Sequence, residues 1–67
     1  MRQFLRITTD PKVMGGKPCV RGMRVTVAMI VQALAAGRTI NQMLADFPYL
    51  EESDIREAVE YEAAKQN

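Results

Sequence analysis

Residues 15–24, with the sequence GGKPCVRGMR, restrict the fold of this chain more than any other segment. Glycine allows backbone conformations that other residues rarely adopt, while proline fixes one φ angle and removes one hydrogen-bond donor. Such a segment forms a shaped turn and not a flexible tether. Because Lys17, Arg21 and Arg24 lie within it, we predict a rigid basic turn, which is the first candidate for a functional surface.

The length of the chain predicts one small domain that needs additional stabilisation. A chain of 67 residues gains only about 3–5 kcal/mol of stability from its core. Its single cysteine excludes a disulfide within the chain, and no histidine completes a zinc site. We therefore expect association with another chain, as in a homodimer. The single domain covers residues 1–67, with short strands and the basic turn in 1–25 and three helices in 26–67.

The charges divide the chain into a basic front and an acidic back, although the net charge is only +1. Residues 1–38 contain seven cations and one anion, whereas the remainder contains two cations and seven anions. This asymmetry favours a polyanion-facing front half, but solubility alone also explains charged surfaces. Residues 1–9 include no long apolar run, so we predict a cytoplasmic protein without a targeting signal or membrane span.

Two short strands are expected in the front half. Residues 4–9 are rich in β-forming residues and end at the turn-initiating pair Asp10 and Pro11. A second extended piece is predicted at residues 23–25, after Gly22. Together they would form a small ribbon packed on the helices.

The first helix is expected to run from Thr26, as N-cap, to Ala36, with Gly37 in the left-handed conformation after it. Its interior is apolar on nearly every side, and two further short helices can hardly cover such a surface. We therefore expect its uncovered side to meet a second copy or another protein. The predicted dimer core consists of Val27, Ile30, Val31 and Leu34.

The second helix carries a capping box, in which Thr39 and Gln42 satisfy each other's backbone N–H groups. An apolar stripe at helical spacing follows, and Pro48 ends the helix after about two turns. The stripe consists of Ile40, Met43, Leu44 and Phe47.

The third helix is expected to begin near Glu51, although glutamate is a poor N-cap. Its predicted inner face is Ile55, Ala58 and Val59. The carboxylates of Glu51, Glu52 and Asp54 are interpreted as a solvated helix start, since anions suit the positive end of the helix dipole.

Two possible enzyme motifs, a phosphate-binding loop and a cysteine nucleophile, lack residues that they require. Gly16 and Lys17 suggest a phosphate-binding loop, but that motif requires a glycine where Pro11 stands and a hydroxyl residue where Pro18 stands. Cys19 is interpreted as a small buried apolar residue, since no histidine is available to act as its base. We therefore predict no catalytic residue, cofactor, metal ligand or small-molecule substrate.

A helix-turn-helix interpretation rests on the short connection through Gly37. Anions on the last helix would oppose DNA phosphates, which leaves the second helix, where Arg38 and the amides of Asn41 and Gln42 would face the bases. The alternative is that Gln42 only caps its own helix. A third possibility is contact of the basic segment with phosphates or a partner, through Arg2, Arg6, Lys17, Arg21 and Arg24.

The run GGKPCVRG at residues 15–22, together with RIT at 6–8 and DFPYL at 46–50, resembles the small prokaryotic family called domain-of-unknown-function family number 433. The resemblance implies a mainly α, three-helix domain of the helix-turn-helix-like (homeodomain or winged-helix-like) type with a short N-terminal β-ribbon. It also implies a dimeric, antitoxin-like protein paired with a PIN-like ribonuclease toxin. The chain departs from the family at Glu51, where a threonine or serine N-cap is common.

Three hypotheses follow. The first is an antitoxin that binds a PIN-like toxin and its own operator DNA, with Arg21 and Arg24 as the contact surface. The second is a stand-alone DNA-binding regulator. The third is an interaction scaffold, in which the cations of the basic turn serve only to shape the turn and keep it soluble.

Overall fold

A computed structural model describes residues 3–65, and Arg2 of the predicted contact surface lies outside this range. The elements are β1 (Ile7–Thr8), a 3-10 turn (Met14–Gly16), β2 (Cys19–Val20), α1 (Val27–Ala35), α2 (Ile40–Asp46) and α3 (Glu52–Lys65). The fold is mainly helical, with a two-stranded antiparallel sheet at its N-terminal side. The predicted fold class is confirmed.

The predicted caps position α1 and α2. The hydroxyl of Thr26 accepts a hydrogen bond from the Met29 N–H (3.0 Å) at the start of α1. At its end, Gly37 has φ 99° and donates to the Leu34 carbonyl, while the Arg38 N–H reaches the Ala33 carbonyl. This pair of bonds is a Schellman motif, which needs a left-handed residue where glycine stands.

The capping box of α2 is present on both sides. The Gln42 N–H donates to the Thr39 hydroxyl (3.1 Å), and the Thr39 N–H donates to Oε1 of Gln42 (2.9 Å). Both contacts depend only on residues three apart, which is why the sequence pattern predicted them.

The second strand is not where the sequence pattern placed it. In β2 Val20 pairs with Ile7 and Cys19 with Thr8, whereas residues 23–25 form no strand. The chain reverses at Arg21 and Gly22, which have φ 47° and 72°, and the Met23 N–H donates to the Val20 carbonyl (2.8 Å). Two positive φ values at the centre of a four-residue turn define a type I′ turn. The turn therefore follows β2, and after it the Val25 carbonyl accepts from the Val20 N–H (2.9 Å) and Thr26 forms an isolated bridge with Cys19.

The core lies between the sheet and the three helices. Its buried members come from every part of the fold: Val20, Val25, Val27, Ile30, Met43, Leu50, Ile55 and Ala58. All four residues of the predicted α2 stripe belong to this core or pack against it. The predicted inner face of α3 is correct for Ile55 and Ala58 but wrong for Val59, which is 43% exposed.

Candidate functional site

Asp54, in the first turn of α3, is fully buried and held by two arginines. Its Oδ1 accepts from Arg6 Nη1 (2.9 Å) and from Arg21 Nε (3.1 Å), and its Oδ2 accepts from Arg21 Nη2 (2.8 Å). Two parallel bonds from one guanidinium to one carboxylate are the strongest geometry for such a pair. We call Asp54, Arg6 and Arg21 the clasp, because they join the sheet to α3.

The clasp also starts α3. Oδ2 of Asp54 accepts from the Glu51 N–H (2.8 Å), so the residue three positions into the helix satisfies a backbone donor at its beginning. The interpretation of Asp54 as part of a solvated helix start was therefore wrong, whereas Glu51 and Glu52 are exposed as expected. The poor N-cap at Glu51 was a usable signal, since an acidic residue three positions later can supply the missing contact.

The electrostatics of the clasp favour its charged form. Burial alone would raise the pKa of Asp54, but hydrogen bonds from Arg21, from the Glu51 N–H and from Arg6 outweigh it and hold that pKa below its usual value. The pKa of Arg6 is raised by hydrogen bonds to Glu51 and Asp54, and that of Arg21 by its hydrogen bonds to Asp54. The clasp therefore stays ionised at neutral pH.

Further contacts fix the position of the two clasp arginines. The Arg6 N–H donates to Oε1 of Glu57 (2.9 Å), and the Arg21 N–H donates to the Arg6 carbonyl (2.8 Å). Nη2 of Arg21 also donates to the Tyr49 carbonyl (2.9 Å) in the connection before α3. Arg21 adopts a left-handed conformation that is uncommon for a residue with a side chain. These bonds hold it there.

The remaining cations differ in whether the fold neutralises them. Arg38 pairs with Asp46, and Arg56 pairs with Glu52 one helical turn earlier. Lys12 and Lys65 are exposed and have no ion pair within residues 3–65, and the same holds for Lys17 and Arg24. Lys17 and Arg24 both adjoin the 3-10 turn, since the Lys17 N–H donates to the Met14 carbonyl and Arg24 Nη1 lies 3.9 Å from the Met14 Sδ. We call Lys17 and Arg24 the free cations.

The backbone under the free cations is strongly constrained. Met14 has φ 50°, and Gly15 and Gly16 follow with φ 66° and 86°. A left-handed residue with a long side chain is an outlier of the kind that concentrates at functional sites. Met14 and Arg21 are the two non-glycine residues with a positive φ within residues 3–65.

Most of the polar side chains proposed to contact DNA bases already have partners within the chain. Gln42 is used in the capping box, and Arg38 is paired with Asp46. Asn41 is exposed. Of the three residues assigned to base contacts, Asn41 alone has no side-chain hydrogen bond within the described part of the chain.

The residues assigned to a dimer core fall into two pairs. Val27 and Ile30 are 2% and 0% exposed within the single chain, so their assignment to a dimer core is corrected: they belong to the chain's own core. Val31 and Leu34 are half-buried and pack against that core from outside. The expectation of an uncovered side of α1 is met by Ala28, Met29 and Ala35, which are exposed.

Other kinds of site are not found in residues 3–65. No group of histidine, cysteine or acidic residues there could hold a metal ion, and no helix among these residues is long and apolar enough to cross a membrane. Cys19 is 1% exposed, and its Sγ donates to the Lys17 carbonyl (3.2 Å), which agrees with its interpretation as a buried residue.

Most of the candidate site lies within a segment that matches a protein family. A family model described as a protein of unknown function, DUF433, matches residues 7–61. The chain belongs to the DUF433 family. The matched residues include Arg21 and Asp54 of the clasp and both free cations, whereas Arg6 lies just before them.

Two DUF433 relatives extend the comparison. A crystal structure of a DUF433 member from Anabaena variabilis superposes with a TM-score of 0.81 at 31% identity, covering 92% of this chain and 59% of that one. An uncharacterised protein of Sinorhizobium fredii is 40% identical over 58 residues, which are 87% of this chain and 26% of that protein. The chain thus spans little more than half of one relative and about a quarter of the other.

Proposed function

We propose that this DUF433 chain is a binding protein, the antitoxin of a toxin-antitoxin pair, and that it holds a PIN-like ribonuclease through Lys17 and Arg24. The observation that carries the proposal is the division among the cations. Arg6 and Arg21 are used within the fold, whereas Lys17 and Arg24 stand exposed and unpaired on a constrained turn in the described part of the chain.

The free cations suit an acidic partner. A nuclease that holds its metal ion with carboxylates presents a negative pocket, and an arginine that enters it forms charge-assisted hydrogen bonds and competes with the metal. Complementary charge also accelerates encounter between the partners. The constrained 3-10 turn that ends at Lys17 reduces the entropy lost when this lysine docks.

DNA reading by α2 has less support. Its candidate side chains Gln42 and Arg38 already have partners, and freeing them would expose unsatisfied groups elsewhere. Contact between DNA phosphates and the free cations would position the chain without selecting a sequence. We therefore favour a protein partner over an operator.

The test uses two matched substitutions. Arg24→Glu reverses a free cation, and Arg38→Glu reverses an exposed arginine on the connection between α1 and α2 that was a candidate for DNA contact. Tagged wild-type chain expressed in its source organism is expected to recover an acidic ribonuclease and to inhibit it. The affinity should fall about tenfold or more for Arg24→Glu and stay near wild type for Arg38→Glu.

Two outcomes contradict the proposal. One is equal loss of nuclease binding in both variants. The other is recovery of no nuclease at all, together with salt-dependent DNA binding that Arg38→Glu abolishes, which would favour the stand-alone regulator.

A further inference from the structure

Three adjoining depressions lie along the line where α1 packs against α3. Their volumes are about 210, 380 and 370 Å³. The first and second share Glu62 in their lining, and the second and third share Leu34 and Val59. Val27 at the start of α1 and Lys65 at the end of α3 line the first depression together. The depressions therefore form one continuous channel between the two helices, which we call the α1–α3 groove.

We propose that an amphipathic helix of the nuclease partner lies in the α1–α3 groove, with its apolar face on the middle of the groove and a carboxylate at the end that holds Lys17 and Lys65. The inference rests on the proposed function and extends it. Lys17 is both a free cation and a lining residue of the groove, so a partner that engages the free cations also reaches one end of the groove.

The middle of the groove is apolar and is bordered by small side chains. Its lining includes Val31, Leu34 and Val59, of which Val59 is 43% exposed. Ala35 and Ala63 also line it and are exposed. Because small side chains allow helix axes to approach closely, a third helix can remove this apolar surface from water.

The walls of the groove favour a helix over an extended segment. Both walls are helices, which offer no strand edge with which an extended segment could pair. On an apolar lining such a segment would leave its backbone N–H and C=O groups without partners, whereas a helix satisfies its own. On α3 the groove extends from Arg56 to Lys65, about 14 Å along the axis, which a helix of about ten residues covers.

The charges along the groove leave one basic end. At the other end, Arg56 is already paired within α3, and Glu60 has a partner in the chain. Glu62, between the first two depressions, also has a partner. Lys17 and Lys65 line the first depression, and neither has an ion pair within residues 3–65. This end therefore attracts a carboxylate, which fixes the direction in which the helix lies.

The first test compares two adjacent alanines of α3. Ala63 lines the groove, whereas Ala64 is exposed outside its lining. Ala63→Phe fills the groove, so it should weaken binding of the ribonuclease recovered with tagged wild-type chain by about tenfold or more. Ala64→Phe should bind as the wild type does. Circular dichroism should show the same helix content in both variants, because both side chains are exposed.

The second test concerns the basic end. Lys65→Glu reverses a lysine of the groove, and Lys12→Glu makes the same change in net charge at an exposed lysine outside it. We expect the affinity for the ribonuclease to fall about tenfold for Lys65→Glu and no more than about twofold for Lys12→Glu.

A crosslinking experiment identifies the occupant. A photo-crosslinker attached to Ala63→Cys should react with the bound ribonuclease, since the native Cys19 is 1% exposed and escapes labelling. Mass spectrometry of the crosslinked peptide should find a helical segment with an apolar face and an acidic residue at one end.

The outcomes separate this inference from the proposed function. If Arg24→Glu loses affinity for the ribonuclease and Ala63→Phe does not, the proposed function stands and the groove is not the docking site. Equal losses within either matched pair, or a crosslink to nucleic acid, to a loop or to a second copy of this chain, would also overturn the inference. Recovery of no ribonuclease contradicts the proposed function, and the inference fails with it.

Discussion

Arg21 and Arg24 are three residues apart in one basic turn, yet the fold uses them differently. Arg21 is bound to a buried carboxylate 33 positions later in the chain, whereas Arg24 has no ion pair within residues 3–65 and its Nη1 lies 3.9 Å from the sulfur of Met14. The net charge of the segment does not distinguish the two arginines. The difference teaches that a basic segment has to be divided by what its cations already bind before any of them is assigned to a partner.

The largest expected effect comes from removing the carboxylate at the centre of the clasp. Asp54→Ala leaves two arginines without their common anion and the Glu51 N–H without its acceptor. We expect a loss of about 3 kcal/mol in the free energy of unfolding, most of what a domain of this size has. Urea denaturation followed by circular dichroism measures it.

The matched control for that substitution is Asp46→Ala. Asp46 also pairs with an arginine, but its side chain is 46% exposed. Exposed pairs contribute little, so the loss should be about 0.5 kcal/mol. Equal losses for the two aspartates would contradict the distinction between the clasp and an ordinary surface pair.

The clasp also predicts how stability depends on pH. The pKa of Asp54 is lower in the folded chain than its ordinary value, so the unfolded chain binds this proton at a higher pH than the folded chain. The stabilisation is therefore complete above about pH 4 and is lost as the pH falls through the folded pKa. Urea denaturation between pH 7 and pH 2 measures this loss, and Asp54→Asn should remove the component that Asp54 contributes. An unchanged acid profile in that variant would show that other carboxylates dominate.

A smaller effect is expected at the second contact between the sheet and α3. Glu57→Ala removes the acceptor of the Arg6 N–H and should destabilise the chain by about 1 kcal/mol. Glu57→Gln keeps an oxygen acceptor at that position and should lose less. Thermal unfolding of the two variants measures the difference, and identical midpoints would mean that this hydrogen bond contributes nothing.

The features that the sequence predicted are those set by close neighbours in the chain. The caps at Thr26, Thr39 and Gly37 depend on residues within five positions, and the α2 stripe depends on helical period alone. Caps and periodicity also predicted the three helices, and the family resemblance implied the same architecture.

The features that it missed depend on distant partners or on a choice between similar turns. The burial of Asp54 requires arginines 33 and 48 positions away, which no local pattern shows. The second strand was misplaced because a glycine such as Gly22 can end a strand as well as begin one. The left-handed conformation of Arg21, together with that of Gly22, forms the type I′ turn, and the sequence does not predict a positive φ at an arginine. Val59 follows the helical period of the core but is exposed.

The measurement that tests the central division most directly compares Arg21→Ala and Arg24→Ala in two assays, urea denaturation and binding of the ribonuclease recovered with the wild-type chain. We predict that Arg21→Ala lowers the unfolding midpoint while Arg24→Ala leaves it unchanged. Under conditions where both variants are folded, Arg24→Ala should be the one that loses affinity for the nuclease. Equal destabilisation by the two substitutions, or loss of binding in Arg21→Ala alone, would contradict the division of the basic turn into a structural and a partner-facing arginine.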